Sequence, residues 1–268
     1  MARKSRPQGM SEIESLLLKN EITYGDRWHP TPVHFFEKEL SSGAFKGLSK
    51  EVRKNIAYSL QYLEFLQLEL DEMDLHSIVT TQIRKSYIIT AMGIIEAVFL
   101  HLVKSKGYAK KEEWQECSPI HTNVIREEGV DKKYIITPSI RLKTPIESEM
   151  DFEYLINKVQ EKKLIKLSNN AFPYIKGLKR LRNKVHLQIV KHENDTDYTA
   201  ISFYDLWLMK YILYVVLRNE VFEPDKTTCL SFIKPSNDQI KELKEHLQKL
   251  KKDKEDKKNG QTENAQSE

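Results

Sequence analysis

Glycine is scarce in this sequence, with nine residues in 268, about half the roughly 7% usual in globular proteins. No two of them stand as G-x-G, so the dinucleotide fingerprint and the P-loop are both absent. Such a shortage also disfavours folds built on many tight turns. Cysteine is scarcer still. Cys117 and Cys229 lie far apart with no CxxC, which argues against a disulfide scaffold and a thiolate zinc site and fits a reducing compartment. HExxH, G-x-S-x-G and EF-hand patterns are missing. Eight histidines are scattered, and no pair falls at i, i+3 or i, i+4, so no histidine metal site on one helix is expected. The opening Met1-Ala2-Arg3-Lys4-Ser5-Arg6 has no apolar stretch behind it, and no secretory signal is expected.

Charge of one sign is also lacking. Lys and Arg number 43 against 39 Asp and Glu, a net of +4, with pI near 8.7. That permits nucleic-acid binding without announcing it, since bulk phosphate binders usually show a pI above about 9 and a clustered basic face. Hydrophobic residues make up 40% and charged residues 31%, with a mean hydropathy of −0.56. The composition describes a soluble, mostly helical protein with a core. One run, Tyr87 to Val103 (YIITAMGIIEAVFLHLV), is almost wholly apolar. It falls short of the roughly 20 residues needed to span a bilayer and carries Glu96 and His101 inside. A buried core helix, with no membrane partner, is the expectation.

Hydrophobic spacing then organises the chain. Residues 1–48 read as loops and short helices, with Ser11 and Glu14 as a capping box and Thr31-Pro32 as N-cap and first helical residue. A bundle is expected over 49–222. Ser49 caps a helix over about 50–71 with Val52, Ile56, Leu60, Leu63, Leu66 and Leu70 on one face. A break near Met73 leads to the longest helix, about 75–105, closed by Gly107. Prolines and β-branched runs mark about 107–147 as an irregular or β-ribbon insertion. Helical spacing returns at Phe152, Leu155, Ile156 and Val159, and again over 171–188 after an Asn169 or Asn170 cap, with Leu178, Leu181, Val185 and Ile189 as its stripe. Ser202 and Asp205 open another helix through Leu206, Met209, Ile212, Leu213, Val216 and Leu217. In the extension 223–252, Leu230–Ile233 reads as a short strand, and Ser236 caps an amphipathic helix with Ile240, Leu243, Leu247 and Leu250. The charged tail 253–268 reads as disordered.

One segment stands out for chemistry: LKRLRNKVHLQ, Leu178 to Gln188. On a helix with Leu178 at zero, Arg182 falls at about 40° and His186 at about 80°, both bordering the buried stripe. Asn183 lies near about 140°, and Arg180 points away near about 200°. A guanidinium can hold a phosphate bidentately, and an imidazole one turn along can move a proton near neutral pH. Together they suit phosphodiester transesterification in RNA. The plain alternative is a solvated basic face with a hydrogen-bonded structural histidine. Glu96, a lone acid in an apolar helix, needs a partner, and Arg180, Arg182 and His186 are the candidates, beside some other base.

The apolar helix YIITAMGIIEAVFLHLV, a later helix ending LKRLRNKVHLQ, a polar loop and a final long helix opening near Asp205 resemble the HEPN superfamily over about 50–222, outside the insertion. The resemblance implies an all-α, HEPN-like antiparallel bundle. Many members are metal-independent ribonucleases with an Arg, four to six residues, then His, often with Asn after the Arg, acting as dimers. It therefore implies catalytic Arg182, Asn183 and His186, with Lys179 and Lys184 on RNA and no cofactor or metal. It further implies an RNA substrate, a homodimer, an antitoxin or defence-complex partner, and a cytoplasmic location. Arg182-Asn183 matches the Arg-Asn pair, but only three residues separate Arg182 from His186. Arg180 has the family's spacing but is followed by Leu181. Either arginine can carry the role, and a catalytically inactive HEPN-like module for protein or RNA binding remains the alternative.

Overall fold

The computed structural model describes residues 28–121, 125–127, 130–133, 135–185, 196–225 and 228–264. The capping box expected at Ser11 and Glu14 lies outside them. The described chain is mostly helical, with strands confined to one insertion. It divides into two compact units. One takes the chain up to Val98 and from Ile165 onward, and the other is Phe99–Leu164.

The first unit opens with helix α1 (Val33–Glu39) and a 3-10 turn (Gly43–Gly47), followed by α2 (Lys50–Glu72) and the first part of α3 (Ser77–Ser105). Ser49 caps α2 by accepting from the Val52 N–H. Its buried face is Ile56, Ala57, Leu60, Leu63 and Leu66; Val52 and Leu70, at the two ends of the expected face, are half-buried. Thr31 does not cap α1, whose N-cap is Pro32. Its N–H and hydroxyl instead donate to the Glu64 carboxylate at 2.8 and 2.7 Å. Gln61 completes the tie by donating to the Thr31 carbonyl. The segment ahead of α1 is thus held on α2.

Helix α3 is 29 residues long and apolar enough, by length and composition, to cross a membrane; 56% of its most apolar window is buried within the protein. The helix is longer than the apolar run that defines it. Its burial, rather than shortness, is what supports a core role.

After Ile165 the unit continues with α5 (Phe172–Arg182), the single turn α6 (Asp197–Ala200), α7 (Phe203–Leu217) and α8 (Asn237–Asn264). Ser168, not an asparagine, caps the 3-10 turn Asn169–Ala171 that feeds α5. The buried stripe of α5 is Phe172, Ile175 and Leu178. Of the expected continuation, Leu181 is half-buried and Val185 is 49% exposed, because the chain leaves the α-helix at Asn183 and turns into 3-10 geometry over Asn183–Val185. Helix α7 opens on the Ser202–Asp205 capping box and buries every apolar residue predicted for it, with Lys210 among them.

Leu230–Ile233 is a 3-10 turn (Cys229–Ile233) capped by Thr228, not a strand. Three residues per turn bring Leu230 and Ile233 to one side, where both are buried; a strand would point them to opposite faces. Burial and the Glu39 charge push the Cys229 thiol up to about 12, so this cysteine is chemically quiet. Helix α8 opens on a reciprocal Ser236–Gln239 box. It buries Leu243 and stacks His246 on Tyr204 of α7 at 3.7 Å between ring centres. Its backbone stays helical to Asn264, beyond the boundary at 252 where disorder is expected; Lys and Glu in that run are good helix formers.

The second unit contains the end of α3, strands β1 (Lys111–Glu116), β2 (Ile120–His121), β3 (Ile125–Glu127), β4 (Val130–Lys132), β5 (Ile135–Ile136) and β6 (Ser139–Glu147), and α4 (Phe152–Glu161). The strands pair antiparallel as β1–β6, β2–β5 and β3–β4, a nested ribbon, as the β-ribbon reading expects. Gly107 adopts φ +75°. The Tyr108 N–H bonds to the Val103 carbonyl and the Gly107 N–H to Lys104, the Schellman closure that needs a left-handed residue. Phe152, Leu155, Ile156 and Val159 are all buried, and Phe152 meets Phe99 edge to face at 6.5 Å. This compact unit is wider than the 107–147 insertion.

Two consequences are measurable. At Gly43, φ is +50° and an added Cβ would lie 2.4 Å from the Phe222 carbonyl carbon, beside the 3.8 Å Phe45–Phe222 ring stack. Gly43→Ala should lower stability by more than about 1 kcal/mol in urea unfolding; an unchanged midpoint would contradict this close approach. Truncation after Lys254 should leave the melting temperature unchanged, because the sequence from Glu255 to Asn264 holds no apolar side chain to pack. Truncation after Pro235 removes Leu243 and the His246 stack and should lower it by several degrees.

Candidate functional site

Arg182 is the last residue of α5. Its Nη2 donates to Glu96 Oε2 on α3 at 2.8 Å. Of the three partners weighed for Glu96, the structure selects Arg182. The two side chains are 34% and 28% exposed, so the pair sits at the rim of the core with one edge open to solvent. A guanidinium carries five N–H donors, and one carboxylate leaves most of them for another acceptor.

The other candidates are distributed unevenly. Asn183 follows directly and begins the 3-10 turn, half-buried. Arg180 is exposed and on a different side of α5. Lys179 and Lys184 are half-buried and both engaged by neighbours. His186 lies outside the described residues. The expected one-turn relation between Arg182 and His186 assumed an unbroken α-helix. The α-geometry ends at Arg182, so those angles do not carry past it.

A second ion pair lies further toward the start of α3. Lys85, buried, donates to Asp197 Oδ2 at 2.7 Å, with side chains 8% and 21% exposed. Gln82 donates to the same oxygen at 3.3 Å. Burial pushes the Asp197 carboxyl up, but these hydrogen bonds and the charges of Lys85 and Lys184 outweigh it and hold the pKa below the usual range. Lys85 and Glu96 are eleven residues apart on one helix, so three turns separate them on nearly the same face. The polar seam of α3 therefore receives α5 at Glu96 and α6 at Lys85. Sequence reasoning missed Lys85 and Asp197. The available signal was Arg84-Lys85 running into an apolar helix, where a cation demands a partner.

Among the described residues no cluster of His, Cys, Asp and Glu is arranged to hold a metal ion. No protein-family model, curated protein or solved structure matches the chain.

Asp197→Asn strands a buried Lys85 ammonium and should cost about 2 kcal/mol, less than a fully buried pair because Asp197 is partly exposed. The sign with pH follows from the lowered carboxyl. The pair's stabilisation is present above the ordinary aspartate range near about pH 4 and is lost as pH falls through the lower folded value. Urea midpoints for wild type and variant should differ at pH 7 and converge at strongly acidic pH; a constant gap would contradict the pairing.

Proposed function

We propose that the protein is a HEPN-type endoribonuclease of toxin–antitoxin or antiviral defence systems, cleaving RNA without a metal. The observation that supports this reading is the Arg182 guanidinium, fixed by Glu96 at the end of α5 and still open along one edge. Such a group can bind the phosphate oxygens of a phosphodiester and stabilise the charge that builds as the 2′-hydroxyl attacks phosphorus. The 2′-hydroxyl loses its proton, the 5′-oxygen leaves and gains one, and a 2′,3′-cyclic phosphate remains. His186 is assigned the proton transfer and Asn183 a supporting hydrogen bond, with Arg180 as the alternative arginine and Lys179 and Lys184 toward the RNA backbone. The reading carries with it a homodimer, an antitoxin or defence partner and a cytoplasmic location.

A second reading is favoured by two specific observations. Arg182 already has a carboxylate partner, and the α-helix ends between it and His186. A catalytically silent HEPN-like module for protein or RNA binding would use the same pair for packing alone.

Incubation with RNA in EDTA separates them. Cleavage that survives chelation, leaves 2′,3′-cyclic ends and falls at least about 100-fold in Arg182→Ala and in His186→Ala is the expected result. No cleavage by folded protein, or equal cleavage by the His186 variant, would favour the silent module.

A further inference from the structure

A separate cleft in the first unit has a different chemistry. It encloses about 230 Å³ and is walled by α2, α3, α7 and α8, with Gln67, Asp71, Arg84, Phe203, Trp207 and Lys210 on its surface. Arg84 also lines an adjoining, wider cleft of about 480 Å³ beside Tyr198. Two cations in one small cleft call for an explanation, because each needs a counter-charge or acceptors when withdrawn from water.

The available acceptors do not meet that need. Lys210 is 5% exposed and, among the described residues, gives one hydrogen bond, to Gln67 Oε1 at 2.8 Å. The Gln67 amide in turn donates to Asp71 at 2.7 Å, so Asp71 is reached only through an intermediary. Among the described residues, Arg84 Nε is buried with no acceptor. One turn along α3, behind the cleft lining, the Tyr87 hydroxyl is also buried with no partner among the described residues. Burial pulls the Lys210 pKa down against the opposing charge of Asp71, so the ammonium is incompletely compensated. A buried donor left unpaired costs about 1–3 kcal/mol. The cleft therefore carries surplus donors and a net positive charge of one, counting Arg84 and Lys210 against Asp71.

A ligand that repairs this deficit must be an acceptor and an anion. A phosphate group is both, and a guanidinium is suited to hold it. The α7 wall that carries Lys210 also bears aromatic rings. Phe203 and Trp207 stand edge to face at 5.0 Å between ring centres, and Phe203 is 39% exposed, leaving an apolar surface on which a planar ring can lie.

We propose that this cleft binds a small phosphate monoester carrying a planar ring, of the nucleoside monophosphate class, with the phosphate on Arg84 and Lys210 and the ring against Phe203 and Trp207. Neither residue pair belongs to the Arg182 site, so the proposal stands independently of RNA cleavage.

Calorimetric titration and thermal melting of the full-length protein test it, with AMP, inorganic phosphate and chloride at matched ionic strength. AMP should bind one per chain and raise the melting temperature, more tightly than inorganic phosphate, and chloride should do neither. Arg84→Gln should weaken AMP at least tenfold. Lys210→Met, which exchanges a buried ammonium for an apolar chain of similar length, should do the same and serves where the Arg84 variant folds poorly. Failure of AMP and phosphate to exceed chloride, or unaltered AMP binding in a folded variant, would overturn the site. Equal affinity for AMP and inorganic phosphate would overturn the aromatic half of the proposal.

Discussion

Helix α3 carries apolar residues around most of its circumference, and that forces the arrangement of what surrounds it. A helix of this kind is stable when enclosed, and each polar group on it must then be met by a neighbour, because water no longer does so. Within the first unit, Lys85 is met by Asp197 of α6 and Glu96 by Arg182 of α5. These pairs fix where two otherwise separate elements stand along α3. The positions where the requirement is left unmet among the described residues, at Arg84 Nε and the Tyr87 hydroxyl, are correspondingly informative.

Much of this was legible from spacing. The faces of α2, α4 and α7 were read correctly from residues such as Leu60, Leu155 and Leu213, since apolar residues repeating every three or four positions have one stable solution. The caps at Ser49 and Ser202 were legible for a local reason: the side chain that caps is adjacent to the N–H groups it satisfies. The partner of Glu96 was legible as a short set of candidates, because a lone carboxylate in an apolar helix demands a cation and few were placed to supply one.

What escaped the sequence depends on contacts between distant segments or on small energy differences. Thr31 has the residue type of a cap, yet Glu64, thirty-three residues away, competes for its hydroxyl, and no local pattern reports that. Leu230 to Ile233 has the composition of a strand, but the burial of Leu230 with Ile233 selects a 3-10 turn. Lys210 sits inside an apolar stripe, and its charge was hidden by a pattern that is otherwise entirely regular. The end of α5 at Arg182 is the most consequential case. Changing from α to 3-10 geometry alters the rotation per residue from about 100° to about 120°, so angles drawn for an unbroken α-helix no longer hold over Asn183–Val185.

The Glu96–Arg182 pair has a double character that follows from its partial exposure. A fully buried pair would lock the guanidinium, and a fully exposed one would contribute little to its position. At about one-third exposure, the carboxylate fixes one nitrogen, while the solvent side of the guanidinium can still meet an anion. A phosphate arriving there is attracted by Arg182 and repelled by Glu96, so the carboxylate lowers the net attraction for any phosphate that cannot reach the open edge. Under the proposed function, position would thereby be obtained at the expense of nonspecific affinity. Recognition at this rim would rest on geometry more than on bulk charge.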